Sequence, residues 1–438
     1  MAEHYDVLVV GAGPAGLAAA DAAASHGARV GLIDAQATLG GQVWRHDVRS
    51  DAPRVAHSAF RAVESRTNIV HFTRTQVVAA APDRLLVEQE GEARSLGYAS
   101  LILACGAREL LLPFPGWTLP GVFGAGGAQA LVKQGWPIAG KRIVIAGSGP
   151  LLLAAAATLR KHGASVVAIY EQASAKQLAA FAAALWRWPQ KATQAIALRA
   201  ALAGVPYRAG AFVRAAHGDA QLRSIEVQVG KNIQTVECDY LAIGYGLVPN
   251  VELAQLLGCA LDADGRHPRI VVDEEQRTSI ANIYAAGEVC GIGGRDTARI
   301  EGAIAGHAAA GVRQAAIKLH SARRKARRFS VLLETRFALD PRIRELVTDD
   351  TIVCRCENVA WSALRDFADA RAAKLQTRCG MGACQGRICG TALAELGRFA
   401  RGGLRPPIFP ARLATLADAD FAANPTDPFI DSNQENFA

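Results

Sequence analysis

Apolar and small residues follow the same order in two stretches of the chain, and each stretch predicts a strand, a tight turn and a helix. Residues 5–10 form an apolar run that enters Gly11-Ala-Gly13-Pro-Ala-Gly16 and then an alanine-rich segment. Residues 141–146 repeat the pattern before Gly147-Ser-Gly149-Pro-Leu-Leu152. A short run that is apolar throughout is typical of a parallel strand covered by helices on both faces. The predicted fold class is therefore α/β.

The first turn has the spacing of a dinucleotide-binding, or Rossmann-like, fingerprint. Its first glycine permits the tight turn, the second lets a pyrophosphate approach the backbone, and the third lets the helix pack on the strand. The helix N-terminus favours phosphate. A second predicted strand, residues 29–34, ends in an acid placed to bind an adenosine ribose. The residues predicted to contact the nucleotide are Gly11, Gly13, Pro14, Ala15, Gly16 and Asp34.

Two later segments indicate FAD as this dinucleotide. Residues 282–288 precede a glycine-rich turn and a helix, and they resemble the segment that closes the FAD site in flavoproteins with two dinucleotide-binding domains. The resemblance puts Gly287 and Glu288 at the ribityl chain, where such flavoproteins usually carry Asp rather than Glu. Residues 101–107 resemble the strand of that family that ends in Ala-Thr-Gly, with Ala104 and Gly106 at the cofactor.

The second turn departs from the fingerprint at its third glycine, which is Leu152. We expect Leu152 to intrude where a pyrophosphate would lie, although Glu171 still offers an acid for a ribose. The second fold is therefore interpreted as a former nicotinamide domain, and bound NAD(P) is not expected.

Cysteines near the C-terminal end favour an iron–sulfur cluster. Cys354 and Cys356 form one pair, and Cys384 and Cys389 follow in a glycine-rich segment. Thiolates are the soft ligands that a [2Fe-2S] core prefers. A structural zinc site is the alternative, but zinc sites favour Cys-x₂₋₄-Cys spacing. Cys379 is a fifth thiol, and spacing alone does not decide which four coordinate; we expect Cys379 to be the one left out.

Composition agrees with a multidomain cytoplasmic protein. The chain has 438 residues, of which 50% are hydrophobic, and a formal net charge of +8. No run approaches the roughly 18 apolar residues of a transmembrane segment, and a strand at residue 5 leaves no room for a signal peptide. The basic run at residues 323–328 predicts a solvated helix face; the alternative is a patch for an acidic partner or for peripheral binding to the inner face of the cell membrane. Nucleic-acid binding has no supporting motif.

The order of these signals predicts five parts of the chain. Residues 1–125 and 266–315 form a discontinuous FAD-binding domain, and residues 126–265 are an inserted NAD(P)-type domain that we interpret as degenerate. A basic linker, residues 316–350, leads to a small, mainly helical [2Fe-2S] domain at residues 351–402. A proline-rich tail, residues 403–438, is expected to be largely irregular and to lie against another subunit.

Several motifs together resemble one protein group. That group is the α subunits of heteromeric, dye-linked amine dehydrogenases: D-hydroxyproline dehydrogenase, L-proline dehydrogenase, opine oxidases and the middle subunit of hydrogen cyanide synthase. The C-terminal part resembles a bacterioferritin-associated-ferredoxin-type [2Fe-2S] domain. The resemblance implies Cys354, Cys356, Cys384 and Cys389 as cluster ligands, and it adds Gly41 and Gln42 to the FAD site. The motifs are Gly40-Gly41-Gln42, Pro113-Phe-Pro-Gly116-Trp117, Gly149-Pro-Leu-Leu-Leu153, Cys354-Arg-Cys356-Glu-Asn and Thr377-Arg-Cys-Gly-Met-Gly-Ala-Cys384-Gln-Gly-Arg-Ile-Cys389.

The resemblance implies an electron-transfer subunit. In such enzymes a separate β subunit with its own FAD oxidises a secondary amine or imino acid, a small ferredoxin-like γ subunit can be present, and a respiratory or dye acceptor takes the electrons. An additional FMN at the subunit boundary is a further expectation from the group. Two alternatives stay open: a self-sufficient NAD(P)H-dependent FAD/[2Fe-2S] reductase, and a non-catalytic scaffold that carries the cofactors. The second fold contains no Cys-x-x-Cys dithiol, which argues against a disulfide reductase.

Overall fold

The computed structural model describes residues 3–262, 267–399 and 404–417. The predicted boundaries at 265/266 and 402/403 and the tail beyond residue 417 lie outside these residues, and the division into five parts stays a prediction. The first elements are β1 (Glu3–Val10), α1 (Pro14–Ala24), β2 (Val30–Ile33), α2 (Arg54–Glu64), β3 (Ile69–Phe72), β4 (Thr75–Ala81), β5 (Arg84–Gln89), β6 (Glu92–Leu103) and β7 (Ala107–Glu109).

The next elements form the second fold. They are β8 (Val122–Gly124), α3 (Ala125–Lys133), β9 (Arg142–Gly147), α4 (Leu151–Lys161), β10 (Ser165–Glu171), α5 (Ala175–Ala184), α6 (Pro189–Ala201), β11 (Tyr207–Ala209), β12 (Ala211–His217), β13 (Ser224–Val229), β14 (Asn232–Glu237), β15 (Tyr240–Gly244) and β16 (Leu247–Pro249). Strands β8, β9, β10, β11 and β15 make a parallel sheet in the order β11-β10-β9-β15-β8.

The chain then returns to the first fold and continues into helices. These elements are α7 (Glu252–Leu256), β17 (Leu261–Asp262), β18 (Arg269–Ile270), β19 (Ile283–Ala285), α8 (Gly294–Ala309), α9 (Arg313–Ile317), α10 (His320–Arg336) and α11 (Pro341–Arg344). The last elements are β20 (Ile352–Cys354), β21 (Val359–Ala360), α12 (Ala370–Thr377), α13 (Cys389–Glu395) and α14 (Leu413–Leu416).

Both predicted turns follow a strand at which the order of the parallel strands in its sheet reverses; in the first sheet β5 pairs antiparallel with both β4 and β6. The first sheet runs β3-β2-β1-β6-β5-β4, and β19 also pairs with β6. In the second sheet β9 lies between β10 and β15. Ligands of such sheets bind beyond the carboxyl ends of the strands at this point. The α/β class with two Rossmann-like folds is confirmed.

Small residues bring α1 and α8 into close contact above the first sheet. A Cβ on Gly302 would lie 2.0 Å from the carbonyl oxygen of Ala15, and one on Gly306 would lie 2.2 Å from that of Ala19. The apolar residues of β1 and β2 fill the core on both faces of this sheet. This packing fixes the N-terminus of α1 at the strand ends.

The basic run on α10 has two faces, and only one of them is solvated as predicted. Arg323 and Arg327 turn inward and bind the fully buried Glu301 of α8. Arg324, Lys325 and Arg328 lie on the outer side of the helix. Among the helices of the described residues, none combines the length and apolar character that crossing a membrane requires.

The start of the tail packs on the first fold of its own chain. The N–H of Ile408 donates to the carbonyl of Val78 at 3.0 Å, and the Ile408 side chain is buried in the core of the first fold. Further on, the Thr415 hydroxyl donates to Glu88 at 2.6 Å. The expectation that the tail lies against another subunit therefore stays a prediction.

Candidate cofactor-binding sites

The turn between β1 and α1 forms an open cradle at a helix N-terminus. Gly11 has φ +106°, and a Cβ there would lie 2.3 Å from the carbonyl oxygen of Ala104; a Cβ on Gly16 would lie 1.7 Å from that of Gly11. Gly13, the N-cap of α1, differs because no described residue other than its two neighbours in the chain comes within 4 Å of its Cβ position. The backbone is thus packed tightly from behind and open in front, which suits a pyrophosphate.

Asp34 and the turn at Gly41, both predicted to belong to the nucleotide site, lie beside this cradle. Asp34 accepts hydrogen bonds from the N–H of Ala12 at 2.6 Å and of Gln36 at 2.7 Å, and burial raises the pKa of its carboxyl group. A Cβ on Gly41 would lie 3.0 Å from the Cα of Gly13, so the turn before Gln42 backs the cradle. The Gln42 side chain accepts a hydrogen bond from Arg45.

A cavity of about 580 Å³ continues from this loop towards the second fold. Its lining includes Trp44, Arg45 and Lys133. The Trp44 Nε1 and Arg45 Nε atoms are buried without a hydrogen-bond partner among the described residues. Cavities of this size are typical of cofactor sites, and unpaired donors fit an anionic or acceptor-rich ligand.

Glu288 supplies a buried acceptor on the other side of the cradle. Its Oε1 accepts from the N–H of Gly294 at 2.7 Å, whereas its Oε2 is buried with no partner among the described residues. Burial raises the pKa of this carboxyl group. Gly287, with φ +82°, lies so close to α1 that a Cβ would be 2.9 Å from that of Ala15. An unpaired carboxylate oxygen fits a ligand hydroxyl, as predicted for the ribityl chain.

Glu301 holds this turn in place, and sequence reasoning missed it. It accepts from the N–H of Gly287 at 3.1 Å, and Arg327 binds it through two nitrogens at 2.7 and 2.8 Å. Arg323 approaches the same carboxylate at 3.2 Å. The signal in the sequence was the spacing of four between Arg323 and Arg327, which places both on one helix face.

The corresponding turn of the second fold is covered. Leu152 points into the apolar core between α3 and α4, so our expectation that it intrudes on a pyrophosphate is wrong. What lies over the turn is Phe337, whose ring atoms are 3.7–3.8 Å from the Cβ position of Gly149. Glu171 is fully buried and accepts from the N–H groups of Gly149 and Ala173, and burial raises its pKa to about 7.

The predicted cysteines come together with the fifth thiol among them. The sulfur atoms of Cys354, Cys379 and Cys389 all lie within 4.8 Å of one another, and all three residues are buried. Cys384 contacts Cys389 and Cys356, and Cys356 is exposed. All four predicted ligands therefore belong to one sulfur group, and Cys379 lies beside two of them, Cys354 and Cys389. The four cysteines elsewhere, Cys105, Cys238, Cys259 and Cys290, are assigned no chemistry.

Backbone N–H groups point at these sulfurs. The N–H groups of Gly380 and Glu357 donate to Cys354, and those of Ile388 and Gly386 donate to Cys384. Hydrogen bonds from neighbouring thiols, first of all Cys379 for Cys354 and Cys389 for Cys384, lower the pKa of both thiols. The thiolate is the form that binds metal, and N–H contacts to sulfur are a usual feature of iron–sulfur sites. The residues present therefore fit a cluster.

One side chain joins the first fold to the cysteine segment. Arg108 lies on β7, shortly after the predicted cofactor residues Ala104 and Gly106. Its guanidinium donates to the carbonyl of Arg387 at 3.2 Å and to the Thr391 hydroxyl at 3.1 Å. These two residues lie on either side of Cys389. Arg108 also pairs with the buried Glu252 at 3.0 Å. The strand end at the cradle is thus fixed against the sulfur group.

The comparisons with known proteins agree on the fold. Residues 5–315 match the family described as pyridine nucleotide-disulphide oxidoreductases. The chain is 31% identical to an opine oxidase subunit of Agrobacterium tumefaciens, over 95% of this chain and 92% of that protein. It is also 31% identical to hydrogen cyanide synthase subunit HcnB of Pseudomonas protegens, over 87% and 89%.

Solved structures show the same fold at lower identity. L-proline dehydrogenase from P. horikoshii has a TM-score of 0.65 and 19% identity, covering 95% of this chain and 80% of that chain. A thioredoxin reductase from T. acidophilum has a TM-score of 0.51 and 23% identity, covering 73% of this chain and 99% of that one. The predicted resemblance to the opine oxidase and hydrogen cyanide synthase subunits is confirmed.

Proposed function

Because the chain belongs to the pyridine nucleotide-disulphide oxidoreductase family, which implies FAD, we propose that it is the electron-transferring α subunit of a heteromeric dehydrogenase. Its substrate class is a secondary amine or imino acid, such as proline, D-hydroxyproline or an opine, oxidised on a partner subunit with its own FAD. Oxidation of such an amine to an imine releases two electrons and two protons. The electrons then pass through this chain to a respiratory or dye acceptor.

The FAD part of the proposal rests on the cradle at the N-terminus of α1. Gly13 and the helix N-terminus would hold the pyrophosphate, Asp34 the ribose, and the unpaired Glu288 oxygen a ribityl hydroxyl. When bound, FAD supplies two-electron chemistry, and a [2Fe-2S] cluster supplies one-electron chemistry. Pairing the two converts hydride transfer into single-electron transfer.

The cluster part rests on the sulfur group. We propose Cys354, Cys356, Cys384 and Cys389 as its ligands, as the family resemblance implies, because their sulfurs are contiguous and three of them receive backbone N–H hydrogen bonds. Hydrogen bonds to Cys354 and Cys384 lower their pKa and favour the thiolate form, and burial keeps Cys354 and Cys389 out of water. Burial and hydrogen bonding of this kind are what set the potential of an iron–sulfur site.

The observation that carries the proposal is the contact made by Arg108. A strand end at the FAD cradle and the segment that carries Cys389 share one partly buried guanidinium. This contact supports electron transfer between the two centres of one chain. It also argues against a scaffold with redox-silent cofactors, because a scaffold does not require them to be adjacent.

The experiment compares the chain alone with the chain co-expressed with its genomic neighbour that encodes a second FAD protein. Each is loaded with FAD and iron and assayed with proline, D-hydroxyproline, sarcosine and opines and a dye acceptor. We expect turnover only in the complex, and turnover by this chain alone at roughly 1 s⁻¹ or more would refute the proposal. Rapid anaerobic bleaching of its flavin by NADH would instead favour the NAD(P)H-dependent reductase.

A matched pair of variants tests the Arg108 contact. In Arg108→Met the complex should retain FAD and iron, yet reduction of the cluster should lag behind reduction of the flavin in rapid mixing. Arg94→Met removes an exposed arginine elsewhere on the first fold and should leave both rates unchanged. Equal rates in wild type and Arg108→Met would remove the observation on which the proposal rests.

A further inference from the structure

The two nucleotide folds of this chain differ in what lies in front of their second glycine. At Gly13 the space around the Cβ position is open for 4 Å. At Gly149, the matching residue of the second fold, φ is +88° and the Cβ position meets the Cγ of Phe337 at 3.7 Å and its Cδ1 at 3.8 Å. An aromatic ring therefore packs on the second turn, whereas the first turn is open at its second glycine.

Phe337 belongs to a connector, residues 337–340, that joins α10 to α11 and binds the second fold through its backbone. The Ser148 hydroxyl donates to the carbonyl of Phe337 at 3.1 Å, and the Gln172 amide donates to that of Ala338 at 3.0 Å. In return the N–H of Asp340 donates to the Gln172 Oε1 at 2.7 Å. The polar groups of the cradle are thus satisfied by peptide groups.

The connector binds residues of the second fold that lie at the positions where a nucleotide would be held. Ser148 lies between the two glycines of the turn, and Gln172 follows Glu171, the acid at the end of the second strand. Glu171 is 0% exposed, whereas its counterpart Asp34 is partly exposed. The connector therefore covers the phosphate end of the site and binds the residue next to the acid at the ribose end.

Contacts on either side hold the connector in place. Upstream, the Phe337 ring packs edge-on against Phe181 of α5, with ring centroids 4.9 Å apart. Downstream, Arg344 of α11 binds the buried Glu395 of α13 at 2.6 Å. Since α13 begins at Cys389, the second fold, the connector and the cysteine segment form one continuous series of contacts.

We propose that the second nucleotide fold binds residues 337–340 of its own chain in place of a nucleotide, and that this internal ligand, rather than the lost third glycine, closes the fold to NAD(P)H. The fold then serves to position the cysteine segment. This inference goes beyond the proposed function, which requires only that the second fold take no part in amine oxidation.

The test measures binding of NADH and NADPH by calorimetry to the full-length chain with FAD already loaded, so that the first fold is filled. Wild type should show no saturable binding up to roughly 1 mM, and Phe337→Ala should bind at least one of the two about tenfold more tightly, with Kd of about 0.1 mM or below. Gln172→Ala, which removes the polar anchor of the connector, should also gain affinity. Hydrogen exchange of the Asp340 amide should be faster in Gln172→Ala, which reports release of the connector.

The matched control is Phe329→Ala. Phe329 lies on α10, just before the connector, and packs on Phe181 and Trp188, but it does not cover Gly149. The Phe329→Ala protein should bind NADH and NADPH no more tightly than wild type. The inference is overturned if wild type binds as tightly as Phe337→Ala, if the control gains equally, or if neither Phe337→Ala nor Gln172→Ala gains affinity while retaining stoichiometric FAD. Should Phe337→Ala not fold, Gln172→Ala decides alone.

Discussion

Gly13→Val should remove FAD without unfolding the chain. Gly13 has φ −76°, which any residue adopts, and no described residue other than its two chain neighbours comes within 4 Å of its Cβ position. The cost to the apo fold is therefore only that of a poorer N-cap, about 1 kcal/mol or less. The two added methyl groups instead fill the space that the pyrophosphate needs.

The size of the effect follows from the contacts that the cradle offers. A hydrogen bond from an N–H group to a charged acceptor contributes about 1.5–3 kcal/mol, and the helix N-terminus adds about 0.3–1 kcal/mol. Losing one such bond and part of the dipole costs about 2–4 kcal/mol, or roughly 30- to 1,000-fold in Kd. FAD content after purification and fluorescence titration of the apoprotein measure this directly.

Two controls separate binding from folding. Gly127→Val also adds a branched side chain to an exposed helical glycine, whose Cβ position has only an ordinary contact of 3.8 Å with Glu109, and it should keep FAD. Gly11→Ala should instead destabilise the fold itself, because φ is +106° and the Ala104 carbonyl is 2.3 Å away. Stoichiometric FAD with unchanged affinity in Gly13→Val would show that the flavin binds elsewhere.

The remaining predictions concern the sulfur group, the buried ion pair and one buried acid. Cys354→Ser should abolish bound iron and the visible spectrum of the cluster, since an alkoxide is a poor substitute for thiolate, while Cys379→Ser should retain both. Arg327→Met should lower the free energy of unfolding by about 3 kcal/mol, because it leaves the buried Glu301 carboxylate partly uncompensated. In Glu171 burial raises the pKa from 4.5 to about 7, so the folded state keeps its proton longer than the unfolded state. Stability should therefore fall by up to about 3 kcal/mol as pH rises through that window, and Glu171→Gln should lack this decline.

Each of these has its own check. Loss of iron in Cys379→Ser combined with its retention in Cys389→Ser would reverse our ligand assignment. Arg328→Met changes an arginine on the outer side of the same helix and should alter the free energy of unfolding by no more than about 0.5 kcal/mol. Parallel pH profiles of wild type and Glu171→Gln in urea denaturation would contradict the role given to Glu171.

The sequence determined the parts of this protein whose geometry is local. The turn at residues 11–16 was predictable because a positive φ at Gly11 and a 1.7 Å approach at Gly16 allow only glycine, and both constraints lie within six residues. Paired cysteines in a glycine-rich segment likewise predicted a sulfur group. Spacing along the chain was enough for these features, since each depends on neighbours in sequence.

Tertiary structure decided which residues, distant in sequence, pack against each site. Phe337 reaches Ser148 across 189 positions of the chain, and Arg327 reaches Glu301 across 26. The pattern of Leu152 suggested a damaged turn, but its side chain packs in the core, and the connector is what covers Gly149. Cys379 joins the buried sulfurs for the same reason: the loop around Gly380 folds back on Cys354. A sequence pattern gives the shape of a turn, but which side chain fills the space in front of it depends on the packing of the whole chain.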